Sequence, residues 1–161
     1  MIIATLAAAA GLSSCTVTPL YSAAPDGIPA QAGFAAISVL PANDRLTQVV
    51  RNELIFAFGG GGQPAAPAYE LSVSAISSGG SAIPGDDETL GRLSVTVRYT
   101  LIEIASGASI ASGSASAGTS YRISNQAFAT LRAVEDAETR AARAAADSVR
   151  LEIAAALALW P

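Results

Sequence analysis

The chain contains no histidine, no lysine and one cysteine in 161 residues. Without histidine there is no imidazole to act as a general base, no Ser-His-Asp triad and no imidazole metal ligand. A lone cysteine, Cys15, allows no intramolecular disulfide. Charged residues make up only 14% of the chain and the net charge is −4, which argues against a nucleic-acid partner. All nine basic residues are arginine. Alanine-rich composition fits GC-rich coding as the cause, and a preference for bidentate contacts to phosphate or carboxylate is the functional alternative. Thirteen Asp and Glu residues leave carboxylate-pair chemistry open, although most fall in patterns typical of solvated surfaces. The inventory points away from an enzyme, and no metal or cofactor is expected.

At the start of the chain, residues 2–12 form an uncharged apolar run that breaks at Leu12-Ser13-Ser14-Cys15. The run is too short to cross a bilayer, which takes about 20 residues, and reads as the core of a signal peptide. Small residues before a cysteine, with leucine at the third position, resemble the bacterial lipobox. Cys15 is therefore the expected site of lipidation, with residues 1–14 removed. Residues 15–33 hold the anchor and a stretch rich in Pro, Ala, Ser and Gly without periodicity, expected to act as a tether.

Residues 34–161 carry the pattern of one domain of ordinary size. Phe34–Leu40 predicts a short strand that Pro41 stops. Asn43 or Asp44 is placed to cap a helix whose apolar stripe is Leu46, Val49, Val50, Leu54 and Phe58. Gly59–Gly62 ends that helix. The run is a poor phosphate loop, because no Gly-Lys-Ser/Thr follows and it closes a helix instead of opening one.

Three alternating segments follow. Tyr69, Leu71, Val73 and Ala75 interleave with polar residues, as do Leu93, Val95, Val97, Tyr99 and Leu101, and then Ala111, Gly113, Ala115 and Ala117. Such period-2 alternation predicts a largely antiparallel sheet covered on one side, its other side hydroxyl-rich with two arginines. Ser106-Gly107 suits a turn between the last two strands. The hairpin tip holds Asp86-Asp87-Glu88, which lack the alternating spacing of a calcium loop. A long helix from about Phe128 to Leu159 is expected as the cover. Its apolar side includes Ala141, Ala145, Val149, Ile153 and Leu157, opposite Asp136, Arg140, Arg143 and Asp147. The fold class predicted is α+β, a two-layer sandwich of order β-α-β-β-β-α with both helices on one face of a mostly antiparallel four-stranded sheet.

Behind a lipobox, this order of elements resembles the LPS-assembly lipoprotein family LptE, specifically its alphaproteobacterial branch. Local features carry the resemblance: Pro19-Leu20-Tyr21 after the cysteine, Arg51-Asn52-x-Leu54, Tyr99-x-Leu101 leading to Ser106-Gly107, Ser120-Tyr121, and Phe128-Ala129, Asp136-Ala137 and Arg140-Ala141 in the last helix. The resemblance implies a domain that plugs the outer-membrane β-barrel LptD and helps insert lipopolysaccharide into the outer leaflet, with no reaction of its own. Thr16 stands where aspartate commonly retains lipoproteins in the inner membrane, so outer-membrane sorting is expected. Arg92 and Arg98 are the candidate lipopolysaccharide contacts, since arginine grips phosphates and carboxylates through paired hydrogen bonds. They lie roughly 20 Å apart along a strand, too far to clamp one phosphate together. The alternative for both is that they pair with acids such as Glu70 or Glu103 or simply meet water, Glu103 being the poorer partner because its parity along the strand matches the apolar face. A generic periplasmic lipoprotein adaptor or pilotin remains the competing function.

Overall fold

The computed structural model describes residues 30–79, 83–84 and 89–160. The lipobox, most of the tether, Pro19-Leu20-Tyr21 and the acidic residues 86–88 lie outside them. Three helices and five strands follow in order: α1 Ala30–Ala35, β1 Ile37–Val39, α2 Arg45–Gly59, β2 Tyr69–Gly79, β3 Ile83–Pro84, β4 Thr89–Glu103, β5 Ser109–Ile123 and α3 Ala127–Leu159. The α+β class and the one-sided cover match the sequence expectation.

The sheet runs β1-β2-β4-β5, with β3 beside the start of β4 in line with β2. β2, β4 and β5 are antiparallel, whereas β1 pairs parallel with β2. That parallel pair follows from the connection: α2 carries the chain back between two strands that then point the same way. β1 is also shorter than expected. Phe34 and Ala35 belong to α1, and so do the last residues assigned to the tether. The reason lies in Phe34, which is buried and stacks on Phe58 at the end of α2 with ring centroids 4.9 Å apart. A helical turn brings it over the helix layer, and an extended chain would have spent it on a sheet edge.

α2 starts at Asp44, whose carboxylate accepts the Thr47 N–H at 2.8 Å and the Thr47 hydroxyl at 2.6 Å. These bonds hold the Asp44 carboxyl below its ordinary pKa, the side-chain bond from Thr47 contributing most. α2 ends at Gly60, in the left-handed conformation (φ +66°) that glycine adopts without penalty. Gly107 likewise takes φ +70° in the β4–β5 turn.

α3 has 33 residues, roughly 50 Å of helix, the length of a 15-residue strand such as β5. It therefore covers the sheet from end to end. Ala137, Ala141, Ala142, Ala145, Ala146 and Ala154 are all buried beneath it, and small side chains let the helix axis sit close to β4 and β5. Val50 and Leu54 of α2, Leu71, Val95, Val97 and Leu101 of the sheet, and Val149, Ile153 and Leu157 of α3 complete the core. Each such aliphatic side chain stabilises the fold by about 1.5–3 kcal/mol. Arg45–Glu138 (2.5 Å) and Glu53–Arg143 (3.5 Å) bridge the two long helices. Both pairs are partly exposed, so each contributes only about 0–1 kcal/mol.

Candidate functional site

Alternation along the strands sends every second residue to the uncovered face. On β4 these are Leu90 and Ile102 at the two ends and, between them, Arg92, Ser94, Thr96, Arg98 and Thr100. Register places Ser78, Ile76, Ser74 and Ser72 of β2 on one side of the last four, and Gly118, Ser116, Ser114 and Ser112 of β5 on the other. The hydroxyls partly satisfy one another and the backbone. Thr96 Oγ1 and Ser116 Oγ are 2.8 Å apart, Ser94 donates to the Ala117 carbonyl at 3.4 Å, and Ser72 to the Thr100 carbonyl at 3.4 Å. The result is a flat face of short polar side chains, with Ile76 (53% exposed) the large apolar residue in its middle.

Arg92 and Arg98 both lie on this face and are exposed, as the alternation predicts. Among the described residues neither forms an ion pair. Glu103 is not their partner: it accepts the Ser106 hydroxyl at 2.5 Å within the β4–β5 turn. Glu70 faces Ile102 across the ladder, four residues of β4 beyond Arg98. Arg98 stands in a shallow hollow with Ser72, Ser74 and Thr100, and Arg92 in another floored by Gly118 with Ser120 alongside. Glycine at 118 removes a side chain that would fill the second hollow. The two guanidinium groups thus stand at separate positions on one polar plane.

On the covered face, Tyr99 is buried and donates to Glu152 of α3 at 2.6 Å. Burial, and then the carboxylate, push its phenol well above the ordinary tyrosine value. Other contacts carried no sequence signal. The Gln63 amide accepts the Val39 N–H at 3.1 Å and donates to the Val39 carbonyl at 2.8 Å, acting as a one-residue strand against β1. Arg51 Nε donates to the Leu40 carbonyl at 2.9 Å. The Thr47 hydroxyl, buried, accepts the Ala75 N–H at 3.0 Å where β2 runs past β1. No cluster of side chains suited to a metal ion occurs among the described residues.

The family model described as LptE, lipopolysaccharide-assembly, matches residues 34–153. The chain belongs to the LptE lipopolysaccharide-assembly family. The match spans the LptE domain from the end of α1 into the last turns of α3. Its fold is shared with a Caulobacter crescentus CB15 crystal structure assigned as a lipoprotein, at 24% identity and a TM-score of 0.67, over 81% of this chain and 97% of that one. Rare lipoprotein B from Shewanella oneidensis is similar at 19% identity and a TM-score of 0.50, over 74% and 92% of the two chains. No curated protein matches the sequence. Membership of the LptE family places the chain in lipopolysaccharide assembly and the biogenesis of the outer membrane. Among the described residues no helix is long and apolar enough to cross a membrane.

Proposed function

We propose that this chain is an outer-membrane lipoprotein, anchored through Cys15, that plugs the LptD β-barrel, helps it assemble and assists passage of lipopolysaccharide to the outer leaflet. The observation that carries this reading is the uncovered sheet face. A polar, shallow face of hydroxyls suits the polar interior of a large barrel, where a greasy face would seek a second layer. Arg92 and Arg98, free of carboxylate partners among the described residues, are suited to the phosphates and acidic sugars of lipopolysaccharide. The chain performs no reaction in this role: it contributes a shaped surface and a lipid tether.

Pull-down of the full lipidated chain from detergent-solubilised outer membrane is the test. Recovery of a large β-barrel protein is expected, and depletion of the chain should lower the amount of folded barrel and make cells leaky to bulky hydrophobic compounds. If no barrel is recovered, the generic lipoprotein adaptor takes its place.

A further inference from the structure

Four uncharged stretches of the chain meet at one end of the domain: residues 30–37, 55–69, 104–113 and 153–160. Phe34 of α1 stacks there on Phe58, at the end of α2. Tyr69 opens β2 between Ile37 of β1 and Glu103 of β4. The Ile104 N–H donates to the Ala68 carbonyl at 2.9 Å, which joins the β4–β5 turn to the loop after α2. α3 finishes at the same end. Its Arg140 donates to the Ser120 carbonyl, and its Glu152, further on, accepts the phenol of Tyr99, the partner of Gly113. Each turn of α3 therefore leads toward the start of β5. Glu70 and Glu103 are the acids nearest this end, and both belong to the sheet.

Large apolar side chains stand open here. Leu159 is 86% exposed, Phe56 68% and Ile104 49%. Beside Leu159 is Trp160, the only tryptophan of the chain, whose indole combines an apolar ring with an N–H suited to a lipid–water boundary. The opposite end is built differently: Arg92 and Arg132 lie there, and the exposed Phe128 ring is covered by the Arg132 guanidinium at 5.2 Å. The chain also enters the domain at the uncharged end. Fifteen residues separate Cys15 from Ala30, the first residue of α1, and a segment of that length reaches at most about 50 Å. α3 alone spans roughly 50 Å. A lipid on Cys15 therefore holds this end near the bilayer, and the far end reaches it only with the segment drawn out along the whole domain.

We infer that this uncharged end is a membrane-seating surface. In the anchored chain before it joins the barrel, Phe56, Leu159 and Trp160 rest at the headgroup boundary of the phospholipid leaflet that holds the Cys15 lipid. The helix side sits deeper than the sheet side, because Glu70 and Glu103 keep the sheet margin in water. α3 then rises from the leaflet, with Arg92 and Arg132 at the end farthest from it. The contact is small, and it suffices because the anchor keeps the surface at high local concentration. Retention on the membrane still comes from the lipid. The inference rests on lipidation at Cys15 and is independent of the barrel.

The experiment places the full lipidated chain in phosphatidylcholine vesicles and reads the fluorescence of Trp160, which needs no added label. Emission is expected to shift to shorter wavelength and to be quenched by lipids brominated near the headgroup, at low and high salt alike, since the surface carries no charge. Leu159→Asp and Phe56→Ser change exposed side chains that the core does not use. Each should lower the ratio of seated to unseated domain at least about tenfold. Leu131→Asp, equally exposed at the other end of α3, should change nothing. A chain that floats with the vesicles while Trp160 stays unquenched overturns the inference and leaves the lipoprotein reading intact. A chain that carries no lipid and does not float overturns both. Equal loss of quenching in Leu131→Asp overturns the assigned end. A Trp160 shift that grows with chain concentration in the absence of vesicles overturns the inference in favour of a second copy. Unquenched Trp160 together with lost recovery of the barrel in Leu159→Asp overturns it in favour of the barrel.

Discussion

The Tyr121 ring lies across Gly91, its direct partner in the β4–β5 ladder, so closely that a Cβ at residue 91 would sit 2.3 Å from Tyr121 Cζ. The same relationship recurs eight residues along β4, where Tyr99 lies against its partner Gly113, with the tyrosine now on β4. Each ring fills the space its facing glycine leaves under α3 and shields that strand position from water.

Gly91→Ala should therefore destabilise the domain by about 1–3 kcal/mol, because Tyr121 has to leave its place. The same substitution in a Tyr121→Ala background should be neutral or stabilise by up to about 1 kcal/mol, since Gly91 has no positive φ and alanine restricts the unfolded chain. Denaturant unfolding of the four members of the cycle gives the coupling. Equal costs in both backgrounds would mean that the ring does not occupy this site.

The Asp44 cap makes stability depend on acid. Its carboxyl has a lower pKa folded than unfolded, so the unfolded chain binds more protons in the interval between the two values. The contribution is complete above the unfolded value of about 3.9 and is lost as pH falls through the folded one. Asp44→Ala should cost about 1 kcal/mol at neutral pH. It should also flatten the part of the acid-unfolding curve below about pH 4. An unchanged acid limb in the variant would remove Asp44 from the account.

Arg92→Ala and Arg98→Ala should each weaken binding of lipopolysaccharide to the soluble domain, and more so at low salt than at high, because screening reduces exposed ionic contacts. At about 20 Å apart they meet separate groups of the ligand, and the double variant should lose roughly the product of the two effects. Unchanged affinity in both single variants would take these residues out of the lipid site while leaving the plug function standing.

Cys15→Ala should leave the domain folded and release it from the membrane, because the core of the described residues is drawn from Phe34 to Leu157, well after Cys15 in sequence, and the proposed lipid supplies only membrane affinity. Intact-mass analysis of the wild-type protein extracted from membrane should show an acylated Cys15 at the mature N-terminus. A chain beginning at Met1, or an unmodified Cys15, would end the lipoprotein assignment.

The sequence alone determined the order of the long elements and which face of each is buried. Those properties come from local periodicity: two-residue alternation in β2, β4 and β5, a 3–4 spacing in α2 and α3, and a capping residue or glycine at a helix end. The placement of Arg92 and Arg98 on the uncovered face followed from the same alternation. Tertiary structure decided the rest, where the answer depends on residues distant in the chain. Phe34 reads as part of a strand until Phe58 is there to stack on it, and then a helical turn wins. Whether Arg92 and Arg98 pair with acids depended on strand register, which put Glu70 beside Ile102 and left Glu103 to Ser106. Gln63 gives no sign in its glycine- and proline-rich loop that it will close β1, because that role exists only once Val39 is within hydrogen-bond reach. That β5 is the outermost strand on its side of the sheet among the described residues is likewise invisible in sequence. Alternation tells which side chains face the core, but only the strand order tells which strand has no neighbour.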